Sequence, residues 1–514
     1  GALLDGRVLA VKGLGGFHLM ADARSDDAVL RLRQAKHRDE KPFAMLFPSA
    51  QAIHEVCNVS DVEQALLLSS AAPLVLLRKK GKAGGLSDHI APGLTHHAVM
   101  VPSNPLHHLL MTDLGTPVIA TSGNLRDEPI CIDEHEAVER LRGIADFFLV
   151  HNRPIVRHVD DSIVRVAMGR PMIMRRSRGY APSPIRITEG GPSVLAVGGH
   201  LKNTVALTNG RNVFLSQHIG DLETPRALEA FQGAARALET LYDAQPVHIA
   251  CDLHPDYLSS KHARSTGLPL TAVQHHYAHV VACMAEHGIE GPVLGVSWDG
   301  SGYGADGTIW GGEFLRATLD GFERVAQLRP FRLPGGERAV REPRRCALSL
   351  LLETHGFSED AIAGTAIAQA FTPGEVAGLR TLILRQLSAP ITSSAGRLFD
   401  AVAALLGLRQ VVSFEGQAAM ALEAEAGRGD PDAAPYPLPL RTKTHPWILD
   451  WRPLIEALLH DLTVKVSSAN IAASFHKALA QGIVQVVRRA GIDDVVLTGG
   501  CFQNMLLLED VVTL

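Results

Sequence analysis

Short apolar runs alternate with polar, helix-like stretches along the first third of the chain. Runs at 8–12, 43–47, 74–77, 118–120, 147–150 and 163–166 are too short for helices, so they predict strands. After the first run, Ser25 with Asp26 and Asp27 has the form of a helix N-cap and acidic first turn. Ala28, Leu32 and Ala35 then keep helical spacing until Lys41-Pro42 stops the helix. The alternation predicts a compact α/β domain over residues 1–187. The stretch APSPIRITEGGPS then combines prolines and glycines with a loss of apolar periodicity, and predicts a linker at 188–193. Beyond it, VLAVGGHLKNTVALTNGRNVFL reads as two strands around a glycine turn, and VLGVSWDGSGYGADGTIWGGEFL repeats the arrangement. Helical segments at 226–242 and 394–406 follow the two units, so a second, two-lobed α/β domain is expected over 194–514, with a cleft between its lobes.

Composition narrows the class. The 514 residues are 46% apolar and 20% charged, which excludes disorder and fibrous repeats and suits about three domains' worth of packed core. No apolar run approaches the roughly 18 residues of a membrane span, and the N-terminal stretch lacks a signal peptide's apolar region. The expected setting is the cytoplasm, with no membrane partner. Six scattered cysteines without a C-x-x-C pair give neither a zinc ribbon nor a disulfide framework. A net charge of −5 offers no global attraction for nucleic acid, which is not expected as a partner. Histidine is abundant, 24 against 16 Phe, 6 Tyr and 4 Trp, and raises the weight of metal or proton chemistry without locating it.

Local charge is more specific. Residues 157–186 carry Arg157, Arg165, Arg170, Arg175, Arg176, Arg178 and Arg186, a density that suits a polyanion, the bland alternative being a solvated strand edge with gatekeeper charges. Lys12 opens the glycine-rich turn KGLGGFH, where backbone amides and an ammonium can approach an anion together. Lys36 and Arg38 end the Ser25 helix, and Thr121-Ser122-Gly123-Asn124 follows another buried strand. Together these groups predict a pocket for a triphosphate and a second small anion. No G-x-x-x-x-G-K-[ST] loop exists, so a P-loop route to ATP is excluded.

In the second part, His275 and His279 lie at i and i+4 of a helical pattern and share one face, the spacing of a two-histidine metal clamp, although isolated pairs are more often core or surface histidines. A strand ending at Ser297-Trp298-Asp299-Gly300 can bring a carboxylate to the same ion, with iron, zinc or another divalent metal all compatible. Gly302 to Gly307 matches G-x-G-x-x-G, yet Thr308-Ile309-Trp310 continues as strand, so a hairpin around nucleotide phosphates fits better than a dinucleotide-binding turn. SSAGRLFD and TGGCFQN place glycines at a helix start and a strand end, where simple packing is an equal alternative.

KGLGGFH, Lys36-x-Arg38-x-x-Lys41-Pro42, TSGN and Arg157-His158-x-Asp160-Asp161-Ser162 together resemble the YrdC/Sua5 fold as it occurs in the HypF family of hydrogenase-maturation proteins. GGHLKNT, HHYAH, WDGSGYG, SSAGRLFDA and TGGCFQN resemble that family's C-terminal part, which is similar to TsaD and to the actin-like (ASKHA) ATPase fold. The resemblance implies a twisted α/β domain that condenses ATP, accompanied by Mg2+, with carbamate derived from carbamoyl phosphate to give carbamoyl-adenylate. A two-lobed domain holding nucleotide and a divalent metal then passes the carbamoyl group to the C-terminal cysteine of HypE. Carried over by motif, Lys12, Lys36, Arg38 and Arg157 are the expected catalytic cations, and Ser122, Asn124, Arg178, Lys202, Gly302, Gly312, Asp400, Gly499, Gly500 and Asn504 the expected nucleotide contacts. His275, His279 and Asp299 are the expected metal ligands. The family's acylphosphatase domain, paired C-x-x-C zinc module and a further metal-binding aspartate have no counterpart in this sequence, so a truncated chain with weakened metal affinity is expected. Small-molecule O-carbamoyl transfer and tRNA threonylcarbamoylation are the competing activities. A non-catalytic scaffold for hydrogenase assembly is a fourth reading.

Overall fold

The structure, a computed structural model, describes residues 1–81, 84–126 and 128–514. Its residues cluster into two compact units, Gly1–Ala272 and Val273–Leu514. In the first unit a nine-stranded mixed sheet runs in the order Phe147–Leu149, Leu9–Lys12, Phe17–Asp22, Val118–Ser122, Ala44–Leu46, His96–Met100, Leu74–Arg78, Ile163–Ala167, Arg170–Arg175. Each of the six apolar runs read from sequence is one of these strands. The other three escaped notice because each carries polar or charged residues among its apolar ones, as in His96-His97-Ala98-Val99-Met100. Helix Asp26–Lys36 starts where expected, with Ser25 Oγ accepting from the Ala28 amide at 3.2 Å. Val8, Ala10, Leu19, Met45, Val75 and Val99 form one core with this helix, and Val11, Met20, Met100 and Ala120 form a smaller one with Met111 of helix Pro105–Leu114.

A second sheet has the order Pro184–Gly191, Ala206–Leu215, Val194–Ala196, His248–Asp252, Leu270–Val273. The stretch read as a linker is therefore largely strand. Pro184 pairs with Phe214 and Ile185 with Val213, and Ile185 and Ile187 alternate half-buried between exposed neighbours. A proline is tolerated there because it opens an edge strand, where no ladder donor is lost. The chain's division into compact units falls between Ala272 and Val273.

The second unit is built on the antiparallel pair Val293–Tyr303 and Ile309–Ala317, with Val495–Thr498 parallel to the first strand. The first unit has the same local topology, with Val194–Ala196 antiparallel to Ala206–Leu215 and parallel to His248–Asp252. Helices Pro343–His355, Ala395–Leu405, Gln417–Ala426 and Ser468–Ala490 supply most of the core, with Trp298 and Phe314 from the sheet and Phe399 and Phe475 from the helices. No helix among the described residues is long and apolar enough to cross a membrane.

Phe399 is 1% exposed and packs edge-on against Phe475, with ring centroids 5.1 Å apart. Phe399→Ala is expected to lower the unfolding free energy of the second unit by about 3–5 kcal/mol, read from urea denaturation, because the cavity lies among rigid helices. A change below about 1 kcal/mol would contradict this packing.

Candidate functional site

The first cluster forms where helix Asp26–Lys36 ends. His37 adopts a left-handed C-cap at φ 49° and turns the chain so that Arg38 comes back beside the sheet. Lys36 Nζ donates to the Ser122 carbonyl at 2.6 Å, the Asn124 carbonyl at 2.9 Å and Asn124 Oδ1 at 2.7 Å. Ser122 Oγ donates to the same Oδ1 at 2.8 Å, and Asn124 Nδ2 donates to the Glu128 carbonyl at 2.6 Å, so the loop after strand Val118–Ser122 is folded around the ammonium. Arg38 donates to Thr121 Oγ1 at 3.2 Å and lies over the Phe43 ring at 5.0 Å. Burial, reinforced by the neighbouring Arg38 charge, pushes the Lys36 ammonium down to about 7, and burial with Arg33 brings Arg38 down to about 10.

The remaining cations of this unit are engaged separately. Lys12 is 1% exposed and its ammonium pairs with Glu134 at 2.7 Å and with the His151 carbonyl at 3.2 Å. Arg178 Nε donates to Asp161 Oδ1 at 2.9 Å, and its Nη2 to the Ala72 carbonyl at 2.9 Å. Burial works to raise the Asp161 carboxyl, but His18 and Arg178 hold it well below the usual carboxylate range. Arg175 pairs with Asp160 at 2.5 Å, at the sheet edge formed by Arg170–Arg175, so part of the arginine run is neutralised internally. Arg157 is exposed, and Lys202 sits at φ 49° with its amide donating to Asp221 Oδ1 at 2.7 Å. The structure thus brings Lys36, Arg38, Ser122 and Asn124 together, while Lys12 and Arg178 are held by carboxylates. Glu134, which holds Lys12, had no spacing signal in the sequence, and Asp161, which holds Arg178, stood out only as part of the Arg157–Ser162 motif.

The second cluster depends on a break in the strand pairing. Trp298 pairs with Gly312 and Gly302 with Trp310, so Asp299, Gly300 and Ser301 face the single residue Gly311. Such a bulge takes a side chain out of the regular alternation and re-aims it. Asp299 Oδ1 accepts from the amides of Gly300 at 2.7 Å and Gly500 at 3.2 Å. Oδ2 is left for the histidines, 3.4 Å from Nε2 of both His275 and His279. Burial alone would raise this carboxyl, yet the hydrogen bonds from His275 and His279 hold it well below the usual range.

Helix His275–His287 is placed by its N-cap. Gln274 Oε1 accepts from the Tyr277 amide at 2.9 Å while Nε2 donates to the Tyr303 carbonyl at 3.0 Å, tying the helix start to strand Val293–Tyr303. A Cβ at Gly302 would lie 2.7 Å from the His275 ring and 2.6 Å from that of His276, so this glycine lets the strand back the histidines directly. Donor atoms of His275, His279 and Asp299 all lie within 4.8 Å of one another, and among the described residues this is the one such group of three able to hold a metal ion. Two imidazoles and a carboxylate, half-buried and convergent, fit a divalent metal in chemistry and spacing.

The other expected nucleotide residues support this cluster or its surroundings. Gly499, at φ 93°, has its Cα so close to Trp298 that a Cβ would meet the Trp298 carbonyl at 2.3 Å, and Gly500 lends its amide to Asp299. The Gly312 amide is directed to Glu313 Oε1 at 3.3 Å. Glu313 is fully buried and receives Arg324 Nε at 2.5 Å, with Ser393 Oγ as a further donor. Asp400 forms a buried pair with Arg397 at 2.9 Å, and burial pushes its carboxyl up to about 6 despite that partner. Asn504 caps helix Met505–Thr513 and donates to His476 Nε2 at 2.8 Å. Sequence reading missed Glu313, whose place inside an apolar strand was its one signal.

Residues 1–177 match the Sua5/YciO/YrdC family described as "Telomere recombination", 189–286 match the "HypF Kae1-like domain", and 295–514 match "Carbamoyltransferase, Kae1-like Domain, second subdomain". Carbamoyltransferase HypF of Synechocystis sp. is 47% identical over 99% of this chain and 67% of its own length, and that of Rhodobacter capsulatus is 42% identical over 98% and 67%. A crystal structure of full-length HypF in the phosphate- and nucleotide-bound form is 40% identical, with a TM-score of 0.94 over 100% of this chain and 80% of that one. That of T. kodakarensis HypF is 32% identical, with a TM-score of 0.91 over 99% and 68%. The fold and these matches therefore define a transferase with a Sua5/YrdC-like part followed by a Kae1-like part. The chain belongs to the carbamoyltransferase HypF family, and spans about two thirds of the length of the curated relatives it matches.

In the unfolded chain a lysine titrates near 10.5, whereas folded Lys36 is lowered to about 7. Between these values the unfolded chain binds more protons, so this group makes stability rise with pH across that window. Lys36→Met is expected to remove a slope on the order of 1 kcal/mol per pH unit, measured by urea unfolding of both proteins at about pH 7.5 and about pH 9. Identical slopes would contradict the burial described for this ammonium.

Proposed function

We propose that the chain catalyses ATP-dependent carbamoyl transfer in two steps, the first on residues 1–187 and the second on residues 194–514, in the cytoplasm. The observation that carries this reading is the presence, in one chain of this family, of a cation-anchored loop at Lys36 and a histidine–carboxylate cluster at Asp299. In the first step a carbamate oxygen attacks the α-phosphorus of ATP, the bond to the β-phosphate breaks, and pyrophosphate leaves with its Mg2+. Lys36 and Arg38 neutralise the charge that grows on the phosphate oxygens, and Ser122 and Asn124 orient the nucleotide by the loop they close. Lys12, Arg157 and Arg178 are second-rank contributors in this reading, since two of them are tied to carboxylates and one is exposed.

In the second step the thiolate of the C-terminal cysteine of HypE attacks the carbamoyl carbon, the carbon–oxygen bond to AMP breaks, and AMP leaves. The thiocarbamate so formed is the precursor of the cyanide ligands of nickel–iron hydrogenase. His275, His279 and Asp299 would hold a divalent metal, iron or zinc, which supplies Lewis-acid polarisation when bound. Gly302, Gly312, Asp400, Gly499, Gly500 and Asn504 shape the nucleotide cleft of the second unit in this reading, the glycines by keeping backbones close and Asp400 and Asn504 by bracing helices.

Incubation with ATP, carbamate or carbamoyl phosphate, and HypE is expected to release pyrophosphate and to add one carbamoyl group to the HypE cysteine, read by mass spectrometry. Absence of pyrophosphate would overturn the first step, and an unmodified cysteine the second. His275→Ala combined with His279→Ala is expected to strip bound metal in elemental analysis while adenylate formation persists. Unchanged metal content would refute the ligand assignment.

A further inference from the structure

The turn that presents Asp299 is fastened from below by a side chain to which the two-step chemistry assigns no role. Ser394 is fully buried and immediately precedes helix Ala395–Leu405. Its Oγ accepts from the Arg397 amide at 3.1 Å as the N-cap, and the same hydroxyl donates toward the carbonyls of Asp299 at 2.9 Å and Gly300 at 2.7 Å. Its own amide donates to Thr392 Oγ1 at 3.0 Å, which fixes the residue from the other side. The bulge has lifted Asp299 and Gly300 out of the regular ladder, so their carbonyls need donors from elsewhere, and a buried carbonyl left without one is costly.

Two glycines make the approach feasible. A Cβ at Gly311 would lie 2.6 Å from the Asp299 carbonyl and 3.0 Å from Ser394 Cα, and a Cβ at Gly396 would lie 2.8 Å from Gly300 Cα. Strand, bulge and helix start are therefore closely packed, with one hydroxyl joining the bulge to the helix start.

We propose that Ser394 is the positioning residue of the metal centre, setting the backbone from which Asp299 directs Oδ2 to His275 and His279. The inference rests on the reading of those three residues as metal ligands. Ser394 touches no metal. It acts through Asp299, as the outer partners of metal ligands commonly do, and loss of such partners typically costs about 10–100-fold in metal affinity. The adjacent Ser393 has a different duty, since its hydroxyl bonds the buried Glu313.

The test titrates Co2+ into the metal-stripped full chain, following its d–d absorption for ligand geometry and its dissociation constant for affinity. Ser394→Ala is expected to weaken Co2+ binding about 10-fold or more and to alter the absorption band. Ser394→Gly should do the same at a smaller cost to the helix, because glycine is a tolerated N-cap, and it carries the comparison if the alanine variant does not fold. Ser467→Ala is the control. It removes the same kind of cap, from helix Ser468–Ala490, and should lower thermal stability while leaving the Co2+ constant unchanged. Wild-type affinity in both Ser394 variants, an equal loss in Ser467→Ala, or failure of both Ser394 variants to fold would each overturn the positioning role. Absence of Co2+ binding by the wild-type chain would instead overturn the metal reading, and this inference with it.

Discussion

A carboxylate with two different oxygens organises the second unit. Asp299 stands in a bulge of a strand whose preceding residues, Val293–Trp298, are buried, and its Oδ1 is fixed by two backbone amides, that of the adjacent Gly300 and that of Gly500, 201 positions further on. That arrangement leaves Oδ2 as the atom available to the histidines. Everything around it serves closeness: Gly499 against Trp298, Gly302 against His275 and His276, Gly311 and Gly396 against the bulge itself. Val280 of the histidine helix likewise rests on Gly295, where a Cβ would lie 2.3 Å from the valine methyl. Gly302, Gly304, Gly311, Gly312, Gly499 and Gly500 are in this sense one feature, positions where a Cβ would meet a neighbouring atom within 3.0 Å.

The cluster in the first unit is built on the opposite principle. Lys36 is enclosed by carbonyl and amide oxygens of a loop, and Arg38 by a hydroxyl, carbonyls and an aromatic face. Lys36 and Arg38 are held by neutral acceptors, so no bonded carboxylate offsets their charge, although burial brings Lys36 down to about 7 and Arg38 down to about 10. Cations held by carboxylates, as Lys12 is by Glu134 and Arg178 by Asp161, have much of their charge spent within the fold. This difference ranks the many basic residues of the unit in a way that their count in the sequence does not.

The elements of the fold were legible where burial is two-sided and local. Six continuous apolar runs became strands, and Ser25 and Ser394 both cap helices that begin where the pattern placed them. The pairing of His275 with His279 was legible because i,i+4 spacing on a helix is a local geometric fact. Pairings across the fold were not. Nothing in the spacing tells that Glu134, 122 positions from Lys12, neutralises it, or that Ser394 reaches back 95 positions to Asp299. The supposed linker misled for a physical reason: edge strands accept proline and glycine, so composition there resembles a loop although Ile185 and Ile187 still alternate. Asn504 and Asp400 were picked out by motif, while their caps, ion pairs and burial become visible only with the helices they brace.

We read the bulge at Asp299 and the start of the helix at His275 as together making one metal centre. Anomalous diffraction from crystals of the full chain grown with Co2+, collected on both sides of the cobalt edge, tests it most directly. The account predicts one strong peak bonded to Nε2 of His275, Nε2 of His279 and Oδ2 of Asp299. A peak elsewhere on the molecule with these three side chains still bonded to one another, or none at all, would contradict it.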